Sequence, residues 1–402
     1  MFQAPKLLTK RSLCFGILLF VVAACVAWAN LSRHTNWTPD GYVYARMMLQ
    51  DTGASAAAAR RMALQFYLST PVGSSPRYRR FFTDESLGMF TADAKPFASR
   101  VLYPYLASLL YRTYGFQSLV LVSMVAYVLS AVGFYVFLLY FGRDWLAAVV
   151  SLAFFATPLM RTLGASALTD MLALLFWIWG LVVAMEWLRH PRFIWAILLS
   201  CCWIGLALTR PAPYLPLGLA FGAIVWSVRT RHYAVSVTPF TTAALAGICA
   251  YALSTSVTHT PGLGTHLHWL YQHALNGWLY ANPRVLSIGD RNSFSVWYLH
   301  DVLWVSAKTL LILLRSVLPA VLIVVAIVGF WQRRDTLEAT AIVWAGIFGI
   351  LGVLANPVLW ELPRLVEAPL YPLIAAGIVM LTMTFTANRL EWLPGSMANK
   401  PE

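Results

Sequence analysis

Long apolar segments recur along the chain, and short loops that carry arginine or lysine separate most of them. Hydrophobic residues make up 59% of the sequence and charged residues only 11%, whereas soluble globular proteins carry about 25% charged residues. A helix that crosses a bilayer needs about 20 mostly apolar residues. The segments that approach or exceed this length are residues 13–31, 116–141, 145–160, 167–188, 193–208, 214–228, 234–257, 317–331, 339–355 and 366–386. The sequence therefore predicts an all-α, polytopic membrane protein with about ten transmembrane helices, built as one integral domain over residues 1–402.

The basic residues predict the orientation of these helices, because cytoplasmic loops of membrane proteins carry an excess of lysine and arginine. With a cytoplasmic N-terminus, every predicted inside segment carries at least one such residue. These are Lys6, Lys10, Arg11, Arg143, Arg189, Arg192, Arg229, Arg231, Arg333, Arg334, Arg389 and Lys400. The first apolar run is longer than the 7–15 residues typical of a signal peptide, so we expect an uncleaved helix. Both termini are then cytoplasmic, in an inner (cytoplasmic) membrane.

Two long segments are predicted on the outer face, at residues 32–115 and 258–316. Within the first segment, helical patterns begin near Pro39, Ala54 and Phe97, and we expect amphipathic helices lying on the outer membrane surface. The second segment is rich in glycine, histidine, tryptophan and tyrosine and ends in another candidate interfacial helix.

The net charge of +13 is spread over many loops and forms no basic stripe. This pattern fits orientation signals, anionic lipids and phosphorylated substrates, and it argues against a nucleic-acid partner. The five cysteines all lie in apolar segments, so the sequence predicts no disulfide framework.

Several short motifs together resemble a known family. Residues 40–45 read Asp-Gly-Tyr-Val-Tyr-Ala shortly after the first apolar segment, and residues 95–106 read Lys-Pro-Phe-Ala-Ser-Arg-Val-Leu-Tyr-Pro-Tyr-Leu. Residues 165–170 read Ala-Ser-Ala-Leu-Thr-Asp, and Arg210 and Arg364 each lie beside a proline. With the large outer loop after the first helix, this layout resembles the GT-C superfamily of membrane glycosyltransferases, in particular the bacterial mannosyltransferases and arabinosyltransferases.

The resemblance implies a GT-C-like fold and a hexosyl- or pentosyltransferase of cell-envelope glycan biosynthesis. Such an enzyme moves a sugar from a polyprenyl-phosphate donor to a glycan, lipid or protein acceptor, on the periplasmic or extracellular face of the lipid bilayer. The alternatives are a transporter or flippase for lipid-linked glycans, and a polymerase or ligase of glycan units. Transporters often carry internal repeats and midplane binding sites. The sequence shows no repeat, and its ionisable residues gather near one face.

Asp40 is the first candidate catalytic residue. Glycosyl transfer needs a carboxylate that deprotonates the acceptor hydroxyl, or that aligns it or a metal ion. The alternative is that Asp40 caps a helix or complements the helix dipole as an acid in the first turn. The two roles are compatible.

Asp170 is the second candidate, because an ionisable residue at membrane depth is rare and often functional. We expect it to support catalysis or to position the acceptor. The alternative is a salt bridge to Arg161 or Arg210 on neighbouring short loops.

Lys95, Arg100, Arg210 and Arg364 are candidate ligands of the donor phosphate. All four are predicted outside, where the orientation rule disfavours positive charge, and a guanidinium group binds phosphate in a fixed fork geometry. The alternative for each is contact with lipid head groups.

His266 and His268 are candidate metal ligands. Together with Asp40 they could bind a divalent metal ion. The commoner role of such histidines is hydrogen bonding at the interface or contact with the acceptor.

Overall fold

The structure is a computed structural model that describes residues 9–33, 37–75, 79, 97, 99–210, 214–231, 238–258, 317–354 and 368–391. Within these ranges the regular elements are helices, so the prediction of an all-α fold is confirmed there. In chain order the helices are α1 (Lys10–Arg33), α2 (Pro39–Asp51), α3 (Ala56–Leu68), α4 (Pro71–Ser74), α5 (Leu102–Tyr114), α6 (Gln117–Leu139), α7 (Asp144–Phe155), α8 (Pro158–Gly164), α9 (Asp170–Arg189), α10 (Phe193–Thr209), α11 (Tyr214–Thr230), α12 (Thr238–Val257), α13 (Val317–Gln332), α14 (Leu337–Leu354) and α15 (Ala368–Glu391).

Four of the described helices, α1, α6, α9 and α12, are long and apolar enough to cross a membrane. The pair formed by α7 and α8 passes the same test when taken together. Apolar parts of α10, α11, α13, α14 and α15 are shorter, at 10–17 residues. Several apolar helices of this kind are compatible with a membrane-embedded protein. The count of ten transmembrane helices stays a prediction.

The prediction of one continuous helix over residues 145–160 is wrong in detail. α7 ends at Phe155 and α8 begins at Pro158, with a bend of 71° between them. Thr157 is the N-cap of α8, and its side chain accepts a hydrogen bond from the Met160 backbone N–H at 3.4 Å. Proline has no N–H to donate and its ring clashes with the preceding turn, so a new helix begins there.

Polar contacts between the long helices define two opposite ends of the helix bundle. Asp170, at the start of α9, contacts Arg210, at the end of α10. At the opposite end of α9, Glu186 accepts a hydrogen bond from Tyr140, just beyond α6. Tyr135 of α6 also donates to the Ser12 backbone oxygen in α1, at 3.0 Å. We call these the Asp170 end and the Glu186 end of the bundle.

The short helices α2 to α5 lie at the Asp170 end, where Tyr44 of α2 reaches Thr169. Helix α3 fits the predicted amphipathic pattern, because it buries Ala59, Ala63 and Tyr67 along one face. Helix α2 does not fit it, because residues 41–45 are all buried. The neighbouring helices α3 and α5 pack against α2 and cover it on more than one side, which makes α2 part of the core.

Small residues bring α11 and α14 into close contact. A Cβ atom placed on Gly222 would come within 2.6 Å of the Ala341 Cα and 2.9 Å of the Thr340 backbone oxygen. Glycine at this position therefore allows the two backbones to touch, which is a common way for apolar helices to associate in membranes.

Candidate functional site

The N-terminus of α2 positions Asp40. Thr38 caps the helix, because its side chain accepts a hydrogen bond from the Gly41 backbone N–H at 3.2 Å, and Pro39 is the first helical residue. Asp40 follows in the first turn. Two structural roles were considered for Asp40, helix N-cap and acid in the first turn. Asp40 has the second of these positions, because the N-cap residue is Thr38. A carboxylate in this position is stabilised by the helix dipole.

Gly41 allows α2 to approach the segment that precedes α9. A Cβ atom at this position would come within 3.0 Å of both the Ala167 Cβ and the Ala167 backbone oxygen, and it would clash with the Tyr67 hydroxyl. Because glycine has no Cβ, Asp40 can lie beside the loop that leads to Asp170.

Tyr44 connects three parts of the chain. Its hydroxyl accepts a hydrogen bond from Arg100 Nη1 at 2.8 Å, and it lies 3.4 Å from the Thr169 Oγ1 atom. Since the arginine can only donate, the tyrosine hydroxyl is free to donate to the threonine. Tyr44 is fully buried, so this network fixes Arg100 next to the start of α9.

Asp170 and Arg210 form a buried ion pair and hydrogen bond. The Asp170 side chain is only 3% exposed and the Arg210 side chain 17%. Arg210 follows the last residue of α10 and is therefore held at the end of that helix. The salt bridge proposed as an alternative for Asp170 thus exists, and its partner is Arg210.

The charges of Asp40 and Asp170 both affect the pKa of Arg100. Burial lowers the pKa of the Arg100 guanidinium, but Tyr44 and the charges of Asp40 and Asp170 outweigh burial, so the pKa is raised overall. Burial also raises the pKa of Tyr44, against the lowering effect of Arg100. At neutral pH the cluster therefore holds a charged guanidinium group beside a neutral tyrosine.

Four of the predicted site residues thus lie together at the Asp170 end, namely Asp40, Arg100, Asp170 and Arg210. The arrangement offers carboxylates and guanidinium groups that are partly shielded from water. In such surroundings, charged groups interact with a ligand more strongly than they do in bulk water. An anionic ligand with a nearby hydroxyl group would suit this combination.

The remaining predicted site residues, Lys95, Arg364, His266 and His268, lie outside the described residues. In the part of the chain that the structure describes, no group of three or more His, Cys, Asp or Glu side chains could hold a metal ion. The possible divalent metal stays a prediction.

Tyr44, Thr169 and Arg46 also lie in or near this part of the molecule and were not predicted from the sequence as site residues. Tyr44 follows Asp40 by four residues, so both lie on one face of α2, and Thr169 directly precedes Asp170; these spacings were available signals. Arg46 gave no signal, although its Nε and Nη1 atoms are buried and make no hydrogen bond to the described residues. Its guanidinium carbon lies 5.8 Å from the centre of the Tyr42 ring.

Over the described residues, the fold and the site define a helical protein with several apolar helices and a cluster of acids and guanidinium groups at one end. The chain matches no model of a known protein family, and no curated protein matches it. The case for a function therefore depends on the residues of this cluster.

Proposed function

We propose that this protein is a membrane glycosyltransferase of the GT-C type, which moves a sugar from a polyprenyl-phosphate donor to an acceptor at the Asp170 end. The observation that carries the proposal is the meeting of Asp40, Arg100, Asp170 and Arg210. They come from four separate parts of the chain. Tyr44, one turn after Asp40 in α2, contacts Arg100 and Thr169, and Asp170 pairs with Arg210. Groups that act together in catalysis must be held together in this way.

In the proposed reaction, a hydroxyl oxygen of the acceptor attacks the anomeric carbon of the donor sugar. A new carbon–oxygen bond forms, and the bond from the anomeric carbon to the phosphate oxygen breaks, releasing polyprenyl phosphate. Asp40 takes the proton of the acceptor hydroxyl as general base. The acceptor is a glycan, a lipid or a protein.

Arg100 and Arg210 stabilise the negative charge that develops on the leaving phosphate, because guanidinium groups form strong charge-assisted hydrogen bonds with phosphate oxygens. Asp170 orients Arg210 through the ion pair. Lys95 and Arg364 are proposed as further phosphate ligands. His266 and His268 are proposed as ligands of a divalent metal ion that would align the acceptor.

The most direct test of catalysis is Asp40→Asn, which keeps the size of the side chain and removes its basicity. We expect transfer of labelled sugar from polyprenyl-phosphate donors to fall at least about 100-fold, in line with the usual contribution of general-base catalysis. The matched control is Asp51→Asn at the exposed end of the same helix, which should keep normal activity.

Donor binding by the Asp40→Asn variant should stay close to normal. If this variant transfers sugar as fast as the unchanged protein, Asp40 is not the base. If transport of a lipid-linked solute is the only activity found, the protein is a transporter or flippase and the proposal fails.

A further inference from the structure

Arg46 of α2 and Arg60 of α3 form a second group of positive charges, on a different side of α2 from Tyr44. Arg46 follows Tyr44 by two residues, which is a rotation of about 200° around a helix. Tyr44 contacts Arg100, so Arg46 faces away from the proposed donor phosphate site. Neither Arg46 nor Arg60 has a role in the proposed sugar transfer.

Tyr42 brings the two guanidinium groups together. It precedes Arg46 by one helical turn, and the Arg46 guanidinium carbon lies 5.8 Å from the centre of its ring. The Tyr42 hydroxyl accepts a hydrogen bond from Arg60, and the charges of both arginines act on this hydroxyl. Tyr42 is only 1% exposed, so it is a fixed part of the contact between α2 and α3. Two positive charges are therefore held beside one buried ring.

Arg46 has no counter-charge in the part of the chain that the structure describes. Its Nε and Nη1 atoms are buried there without a hydrogen bond, and the ion pairs of the described residues do not include it. The acids of the same helix, Asp40 and Asp51, are rotated from Arg46 by about 120° and about 140° around the helix axis, so neither lies on its face. A partly buried charge without a partner is costly.

The Arg46 side chain stays open to a ligand at one nitrogen. The residue is only half-buried, and Nη2, which makes no hydrogen bond to the described residues either, is not among its buried atoms. An anion can therefore reach Nη2 while protein encloses the other two nitrogens. This enclosure strengthens the attraction between the guanidinium group and an anion, because water screens it less than in bulk. The Tyr42 ring attracts the guanidinium but does not cancel its charge.

We propose that Arg46 and Arg60 bind a phosphate group on this side of α2, at a site separate from the donor phosphate site of Arg100 and Arg210. Nη2 of Arg46 donates to a phosphate oxygen, and Arg60 adds a second positive charge. The phosphate belongs to the head group of an anionic phospholipid or to a free phosphate compound, which offer the same oxygens. Both ends of a membrane-spanning bundle lie at the level of the lipid head groups, and α2 and α3 lie at one of these ends.

The first test is native mass spectrometry of the full-length protein in detergent, titrated with phosphatidylglycerol or phosphatidylcholine of identical acyl chains. We expect Arg46→Gln to lower the apparent affinity for one phosphatidylglycerol about tenfold. Phosphatidylcholine should be retained less well by the unchanged protein, because its choline group adds a positive charge beside two arginines. The matched control is Arg61→Gln, which removes an exposed charge next to Arg60 and should leave retention unchanged.

Inorganic phosphate separates the two sources of the ligand. Phosphatidylglycerol that inorganic phosphate does not displace identifies the site as one for a lipid head group. Binding of inorganic phosphate that is lost in Arg46→Gln, without retention of phosphatidylglycerol, identifies a free phosphate compound as the ligand. If Arg46→Gln binds both the lipid and inorganic phosphate as tightly as the unchanged protein does, the proposal is overturned.

The stability of the lipid-free protein separates a binding role of Arg46 from a structural one. Without a ligand, Arg46→Gln removes an uncompensated charge, so we expect its melting temperature in lipid-free detergent to equal or exceed that of the unchanged protein. Addition of phosphatidylglycerol or inorganic phosphate, whichever binds in the first test, should stabilise the unchanged protein more than the variant. A lower melting temperature of lipid-free Arg46→Gln would show that the arginine is structural and would overturn the proposal.

Discussion

At the scale of single residues, the contribution of the Asp170–Arg210 ion pair to stability can be measured separately from its contribution to catalysis. Removing one partner of a buried pair leaves an uncompensated charge, whereas replacing both by apolar residues is often nearly neutral. We expect Arg210→Met to lower the free energy of unfolding by about 3–5 kcal/mol. The double variant Asp170→Leu/Arg210→Met should recover most of that loss, measured by denaturation in detergent.

Sugar transfer gives the complementary readout for this pair. The double variant should stay inactive although its stability is largely restored, because the phosphate ligand is gone. An active double variant would show that the pair is purely structural. A double variant that loses the sum of both single effects would show that the two residues are not energetically coupled.

From the sequence, Asp170 could be predicted as a site residue with Arg161 or Arg210 as its possible salt-bridge partner, but the sequence did not indicate which arginine it is. Both arginines lie near the same end of the bundle, and charge alone does not distinguish them. The choice depends on the packing of α9 against α10, which places Arg210 against Asp170. Arg100 was predicted as a phosphate ligand, but its link to Tyr44 depends on how α2 folds back on the bundle.

At the scale of elements, the contact between α11 and α14 depends on glycine. Gly222→Ala should force the two helices apart and lower stability by about 1–3 kcal/mol, the usual cost of overpacking. The matched control is Gly346→Ala on α14, where a Cβ atom would meet only Leu373 at 3.7 Å. The melting temperature in detergent should fall for the first variant and not for the second. Equal melting temperatures would mean that the helices are not closely packed at this position.

The sequence predicted most elements because apolar runs of sufficient length are a strong signal. It failed at the break between α7 and α8, although Thr157 and Pro158 carry the local signal for a new helix start. The residues on both sides of the break are apolar, so the whole segment was assigned to one helix. The burial of α2 was also missed, since it comes from the packing of α3 and α5 around α2 and not from its own periodicity.

At the scale of the whole molecule, buried tyrosines set the response to alkaline pH. Burial raises the pKa values of Tyr44, Tyr67 and Tyr103 above the ordinary 10.0. Above pH 10 the unfolded chain loses these protons while the folded protein keeps them, so stability is complete below pH 10 and falls as the pH rises further. A tyrosine that stays protonated in the folded protein lowers the unfolding free energy by at most about 1.4 kcal/mol per pH unit, a slope reached well above pH 10.

Tyr103→Phe tests this assignment. It should reduce the loss of unfolding free energy between pH 10 and 11 by about 1 kcal/mol. Tyr105→Phe, at an exposed position on the same helix, should leave the slope unchanged. A slope that does not respond to Tyr103→Phe would mean that Tyr103 ionises in the folded protein.

The gathering of distant charged residues at one end of the bundle is the central claim, and a structure with bound polyprenyl phosphate tests it most directly. Cryo-electron microscopy of the full-length protein with this lipid should show phosphate oxygens about 2.7–2.9 Å from guanidinium nitrogens of Arg100 or Arg210. Asp40 should face the side of the phosphate where the sugar is attached. A lipid phosphate bound away from these arginines, with the cluster of Asp40, Arg100, Asp170 and Arg210 making no contact to it, would contradict the account.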